Sequence, residues 1–395
     1  MLKYQEKAKC RNYGRKNSKS ARRCGALLRE VRTARAMREK SGRAARRVRT
    51  FCSNFARPHT LARVKARVCA NSKARMKLMT PVALPAERIE LSPESRVLAL
   101  GSCFAEHVGG LLADSLPEGH AMVNPGGVLY NPRSVRATIN SLENDAAAPE
   151  RFSFKGTDGL WRNWLCSGRF AEGSREELGR ALRQAWAAGA EALRTADYVF
   201  VTLSTDHAYF LRGDGAAAGT AVANCHKQPA ALFEERVLDM EEEFAGWHAW
   251  LSALAGRKSG ARVVFTVSPY RYAKHGLHES ALSKARLLLL VDRLCRETDN
   301  ALYFPAYEIV TDELRDYRFY KADMLHPSDQ AVEYVWQRFA EWAFTPRMTE
   351  FARERQALLR DLRHRPLHTS GAEYDAFRAR TARREEEFRR KWGTL

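Results

Sequence analysis

Two short stretches of this sequence hold residues that can do chemistry together. The first is Gly101-Ser102-Cys103-Phe104-Ala105, which follows an apolar run over 97–100 and precedes a helical pattern over 106–112. A Ser or Cys on a strand-to-helix turn stands above the sheet edge. The free N–H groups and partial positive charge of a helix N-terminus there favour an anionic nucleophile and can receive an oxyanion. The second is Asp323-Met324-Leu325-His326-Pro327-Ser328, directly ahead of the last core helix. A His three residues from an Asp on one loop can act as general base, with the carboxylate holding the ring and fixing its tautomer. Taken alone, the first stretch reads as a tight turn of small residues with Cys103 as a buried hydrophobe. The second stretch, far downstream in the chain, shifts the reading toward chemistry.

Other candidates carry two readings each. His226, in Asn224-Cys225-His226-Lys227, either orients a substrate or is a satisfied polar residue beneath a loop. Lys284, early in a helix that follows the strand end at Ser268-Pro269, either binds an anionic group or is solvated. His275 and His278 form an H-x-x-H, and His364 and His368 an i,i+4 pair. Neither has a third ligand nearby in sequence, so no metal is expected, and no cofactor. Trp161 and Trp164 lie in an insertion over 146–173, where structural packing is the stronger expectation than a sugar or acyl site.

These residues need a scaffold. Apolar runs over 97–100, 198–203, 263–267 and 302–304 read as buried strands, each bounded by turn formers or polar residues. Between and after them, 176–193, 234–254, 279–295 and 329–344 repeat apolar residues at helical spacing. Strands alternating with helices imply a parallel sheet covered on both faces, with ligands at the carboxyl ends of the strands. Beyond Phe344 the chain is rich in Arg and Glu and predicts a charged extension over 346–395, with two exposed helices broken near Pro366 and Gly371.

Charge divides the 395 residues in two. Residues 1–75 hold 24 Lys and Arg against Glu6, Glu30 and Glu39; the other 320 residues hold 42 bases and 43 acids. A basic nucleic-acid groove spread over the fold is therefore excluded, and nucleic acid is a partner only through 1–75. That segment has too little apolar surface to offset its ordering entropy, so disorder is expected. A transit peptide, an anionic-membrane anchor and a translation start at Met76 or Met79 are its competing readings. No run of about 18 apolar residues appears, so no membrane span is expected. No secretory signal is visible, and the eight Cys form no C-x-x-C pair. A reducing, cytoplasmic setting is the simpler reading. Nothing fixes an oligomeric state.

A nucleophile turn first and D-x-x-H last is the order of the SGNH, or GDSL-type, hydrolases. Gly101–Ala105 spells the signature of the GSCFA family, which is grouped with them. The stretches 126–132, 224–227, 266–269, 283–285 and 303–308, running on to 323–327, also resemble that family, over about 76–344. The resemblance implies a three-layer α/β/α domain over 76–345 and an O-acyl ester substrate, such as an acetyl ester on a carbohydrate or small molecule, hydrolysed or transferred. It assigns His326 as base and Asp323 as its orienting partner. Cys103 takes the nucleophile slot in register, and Ser102 takes it after a one-residue shift. A thiol beside a His and a helix N-terminus would have a lowered pKa. The SGNH oxyanion Asn is missing after 198–203, where Ser204-Thr205-Asp206-His207 stands. Asn224, with the N–H groups of Cys103 and Gly127, would replace it. The rival class is a binding domain that keeps the fold without the chemistry.

Overall fold

The computed structural model describes residues 79–144, 148–214, 217–258, 260–365 and 370–393. The expectations for 1–75, for a start at Met76 and for His368 lie outside them.

The strands among these residues are β1 (Val97–Gly101), β2 (Ala121–Val123), β3 (Ser153–Lys155), β4 (Trp161–Asn163), β5 (Ala171–Glu172), β6 (Tyr198–Leu203), β7 (His207–Leu211), β8 (Ala221–Val222), β9 (Phe233–Val237), β10 (Arg262–Val267) and β11 (Ala301–Tyr303). Five build one all-parallel sheet in the order β11-β10-β6-β1-β2. The longer helices are α1 (Cys103–Ala113), α2 (Pro132–Asn144), α3 (Arg175–Thr195), α4 (Met240–Arg257), α5 (Leu277–Glu297), α6 (Asp329–Ala343), α7 (Pro346–Arg363) and α8 (Ala372–Trp392).

Successive strand residues point to opposite faces, and here both faces are apolar. Leu98, Leu100, Val199, Val201, Val263 and Phe265 pack with Trp186 of α3, Trp247 of α4 and Leu290 of α5. Val97, Phe200, Val264 and Leu302 face the other way, onto Phe104 of α1, Phe339 of α6 and Phe351 of α7. The arrangement is the expected three layers, α/β/α. The helical reading of 234–254 needs correction, because 234–237 belong to β9. Asp239 then starts α4 by accepting the N–H groups of Glu241 and Glu242. Backbone pairing of β9 with β7 decides against the helical spacing of Glu234-Glu235-Arg236.

Two small antiparallel sheets, β3-β4-β5 and β8-β7-β9, stand apart from the main one. The two helices expected in the charged tail are present as α7 and α8. They are less exposed than expected: Met348, Phe351 and Leu358 of α7 and Phe388 of α8 are buried in the second core. Helix α1 has no basic residue in its own last turn, and α7 supplies them. Arg363 holds the Asp114 carboxylate through two bonds of 2.6 Å. Arg355 donates to Asp114 O at 2.8 Å.

The β1–α1 turn shows why its first residue is glycine. Gly101 sits at φ +136°, and a Cβ there would lie 2.2 Å from Thr202 O. Gly101→Ala should therefore cost the strain of a forbidden backbone region, about 1–3 kcal/mol, and the clash in addition. Gly119→Ala, at φ +78° and facing open space, carries milder left-handed strain and no clash, and should cost less. Urea denaturation of both variants checks this, and equal losses would show that the Thr202 contact contributes nothing.

Candidate functional site

A cavity of about 280 Å³ opens at the carboxyl ends of β1, β6 and β10, lined by Cys103, Tyr130, Thr205, Asn224, Tyr270 and His326 among others. Each arrives by a different local device. Cys103 is the first helical residue of α1. Ser102 before it is extended, at φ −68° and ψ 175°, and does not cap the helix with its side chain. The two neighbours diverge: Cys103 lines the cavity, whereas Ser102 is fully buried and its hydroxyl has no hydrogen-bond partner.

Tyr130 comes from the loop Gly126-Gly127-Val128-Leu129-Tyr130-Asn131, which is laced to the strand ends. Leu129 N donates to Gly101 O at 2.8 Å, and Ser204 N and Thr205 N donate to Tyr130 O at 2.8 and 3.0 Å. Asn131 then accepts Ser134 N at 2.8 Å at the start of α2. Burial pushes the Tyr130 hydroxyl up to about 12, so it enters as a neutral phenol.

His326 sits on a knotted turn. One oxygen of Asp323 accepts the N–H groups of Leu325 (2.9 Å) and His326 (3.0 Å), and the other lies 2.5 Å from His326 Nδ1. Those backbone bonds, with the imidazole bond after them, hold Asp323 down at about 2. An ionised carboxylate only accepts, so Nδ1 carries a proton and donates it to Asp323; in the neutral ring Nε2 is then the acceptor. Met324 takes φ +58° to close the turn. Arg271 anchors it through Leu325 O (3.1 Å) and Met324 O (3.2 Å). The Tyr270 ring lies beside His326, with 4.4 Å between centroids.

The expected lowering of the Cys103 thiol does not occur. Burial pushes it above its ordinary value, and Glu106 adds to the rise. Backbone N–H bonds at Phe104 and Cys103 and the charge of Lys321 pull the other way without overcoming it. The resting side chain is a thiol.

Of the remaining expected residues, Asn224 lines the cavity, and its Oδ1 accepts His226 N at 2.6 Å. Gly127 is no oxyanion donor, because its N–H is committed to Asn124 O at 2.8 Å. His226 is not among the cavity-lining residues. It is buried, its Nε2 lies 2.8 Å from Asn163 O, and its ring packs on Phe154 and Trp164. It lies beneath a loop as a polar residue satisfied at Nε2 alone, since its buried Nδ1 has no hydrogen-bond partner. Trp164 stacks on Phe154 with centroids 3.5 Å apart, so the insertion tryptophan is packing. Lys284 is neither solvated nor open to an anion. It is buried on α5 and donates to Ser204 O, and Ser204 lines the cavity. Burial takes its amine down to about 7, against the pull of Asp206 and Cys103. Tyr130, Tyr270, Tyr272 and His207 are wall residues that sequence reasoning missed. The sequence signal for Tyr130 was its place in the family-like stretch 126–132, which names no role for it.

Two outcomes follow. Iodoacetamide should modify Cys103 ahead of Cys225 and Cys295, which burial pushes up to about 11 and about 12. Its rate should nevertheless climb only above the ordinary thiol range of about 8.5; a half-maximum below that value would restore the pre-formed thiolate. For Lys284, the folded chain binds fewer protons than the unfolded chain between about 7 and the ordinary 10.5. Stability should therefore rise with pH across that window and fall back as pH drops toward 7. Lys284→Met should flatten this rise in denaturation measured at pH 7 and pH 9, and an unchanged slope would disprove the assignment.

No curated protein matches the chain. A solved structure from Streptococcus pneumonia, provisionally named a platelet activating factor, is 12% identical, with 63% of this chain and 83% of that chain covered, at a TM-score of 0.31. Among the described residues no helix is long and apolar enough to cross a membrane. The GSCFA family profile matches residues 96–339, from the strand that leads into the Cys103 turn to the helix behind the His326 loop. By that match, over more than half its length, the chain belongs to the GSCFA family.

Proposed function

We propose that this cleft hydrolyses or transfers a short O-acyl ester through Cys103, with an SGNH-like catalytic logic. The observation that carries the reading is the convergence of Cys103 and His326 on one cavity, with His326 held by Asp323 on the side away from its free nitrogen. In the first step His326 Nε2 takes the thiol proton as Sγ bonds to the acyl carbon. The carbonyl electrons move onto oxygen, with the Cys103 N–H, which has no partner within its own helix, and the Asn224 amide as candidate donors. Collapse expels the alkoxide, which takes the proton back from His326 and leaves an acyl thioester on Cys103. Water, or an acceptor hydroxyl, activated by the same nitrogen, then releases the acid or the new ester.

The raised thiol fits this order of events. A cysteine that is neutral at rest needs a base at the moment of attack, and His326 is the base at hand. A cavity of about 280 Å³ lies at the low end of ligand pockets, about 300–1,000 Å³, which favours an acetyl-sized group. Tyrosine walls give it flat faces with polar rims, the surface that a sugar ring or a small alcohol presents in return.

The expected outcome is turnover of short acyl esters, with Cys103→Ala inactive and Ser102→Ala active. His326→Ala should lose about 10²–10⁴-fold, the usual contribution of a general base. Intact mass spectrometry under rapid quench should show one acyl adduct on Cys103, retained longer in His326→Ala. Full activity in Cys103→Ala would remove the thiol from the reaction. Absence of turnover and of any adduct across acetyl, propionyl and butyryl esters would favour a binding domain.

A further inference from the structure

A second cluster stands where the small β8-β7-β9 sheet meets the loop after β10. His207 begins β7, Glu235 is in β9, and His275 precedes α5. One ligand atom from each can be chosen so that all three lie within 4.8 Å of one another. Glu235 Oε1 lies 3.5 Å from His207 Nδ1 and 2.8 Å from His275 Nε2, and the two imidazoles face each other with centroids 4.6 Å apart. His275 had lacked a third ligand nearby in sequence; two come from strands some 40 and 68 residues upstream.

A second observation points to what belongs there. His207 Nε2 and Asp206 Oδ1 are both buried without a hydrogen-bond partner, and they lie 3.7 Å apart. Two orphaned buried polar atoms facing each other are costly. A cation on His207 Nδ1 would fix the tautomer with hydrogen on Nε2, turned toward the Asp206 carboxylate 3.7 Å away. That is the carboxylate–histidine–metal relay by which outer residues orient a ligand. Asp206 is itself anchored by Arg286 at 2.8 Å.

We propose that His207, Glu235 and His275 bind one zinc-class divalent transition metal. Two imidazoles and one carboxylate match the ligand set of zinc sites that keep a fourth position open, and are too poor in oxygen for calcium or magnesium. The site is distinct from the Cys103–His326 pair, although His207 also lines the cavity wall. Lys274 holds the other oxygen of Glu235 at 2.8 Å. It stands in for part of the positive charge and should compete with the ion.

The test uses the full chain, stripped with EDTA and titrated with Zn²⁺ against a chromophoric chelator, then with Co²⁺ for visible absorption. One equivalent should bind, with Co²⁺ bands of a low-coordinate site. Glu235→Gln and His275→Ala should each weaken binding by at least about 100-fold, and Asp206→Asn by about 10–100-fold. Lys274→Met should tighten it. Cys103→Ala and His326→Ala should leave it unchanged, and metal-free melting curves should show that Glu235→Gln, which keeps the side-chain shape, still folds. Failure of the wild type to take up zinc at micromolar concentration would overturn the proposal. So would zinc uptake indifferent to Glu235→Gln and His275→Ala, or zinc uptake lost in Cys103→Ala.

Discussion

At the carboxyl edge of the sheet the backbone of Gly101 passes so close to Thr202 that no side chain fits between them. Everything that reaches the cleft is referred to that contact. Gly101 N donates to Asn124 Oδ1 and Gly101 O accepts Leu129 N, so the same residue that ends β1 also pins the loop carrying Tyr130. The loop then caps the ends of β6 through Ser204 and Thr205. With β1, β6 and the loop locked together, Cys103 has one way to leave the sheet, into the cavity.

The charged groups around the cleft divide into those left wet and those walled in. Asp323 stays at the surface, and its low pKa comes from hydrogen bonds rather than from burial. Cys103 and Lys284 are walled in, and burial moves each toward its neutral form: the thiol upward, the amine downward. The result is a cleft whose thiol is neutral near pH 7, whose buried amine changes charge near that pH, and whose outer base is held by a permanent anion. Such a division suits a proton relay that begins only when a substrate is present.

Much of this was legible in the chain. Runs of Val and Leu marked β1, β6 and β10 because a strand covered on both faces has no polar side to disguise it. The Asp323–His326 turn was legible because both partners lie within one loop. β9 was not, because Glu234-Glu235-Arg236 reads as the first turn of the helix that follows, and only pairing with β7 decides otherwise. The burial of Lys284 was hidden too, since helical spacing says which residues share a face and not what covers it. The His207–Glu235–His275 cluster was hidden for the plainest reason: its members come from three segments, two joined by the β7–β9 ladder and the third brought to them by the loop after β10. The raised Cys103 pKa was missed because a helix terminus is visible in sequence, whereas exclusion of water is not.

One connection runs the length of α1. Its N-terminal residue is Cys103 and its C-terminal end is gripped by Arg355 and Arg363 of α7. The helix is 11 residues long, a rod of about 16 Å at 1.5 Å per residue. Its N-terminus therefore faces the cleft while its C-terminus meets α7. The charged tail thus closes the far end of the helix that begins at the cleft: its arginines meet the carbonyl and carboxylate of Asp114 at the negative end of the α1 dipole.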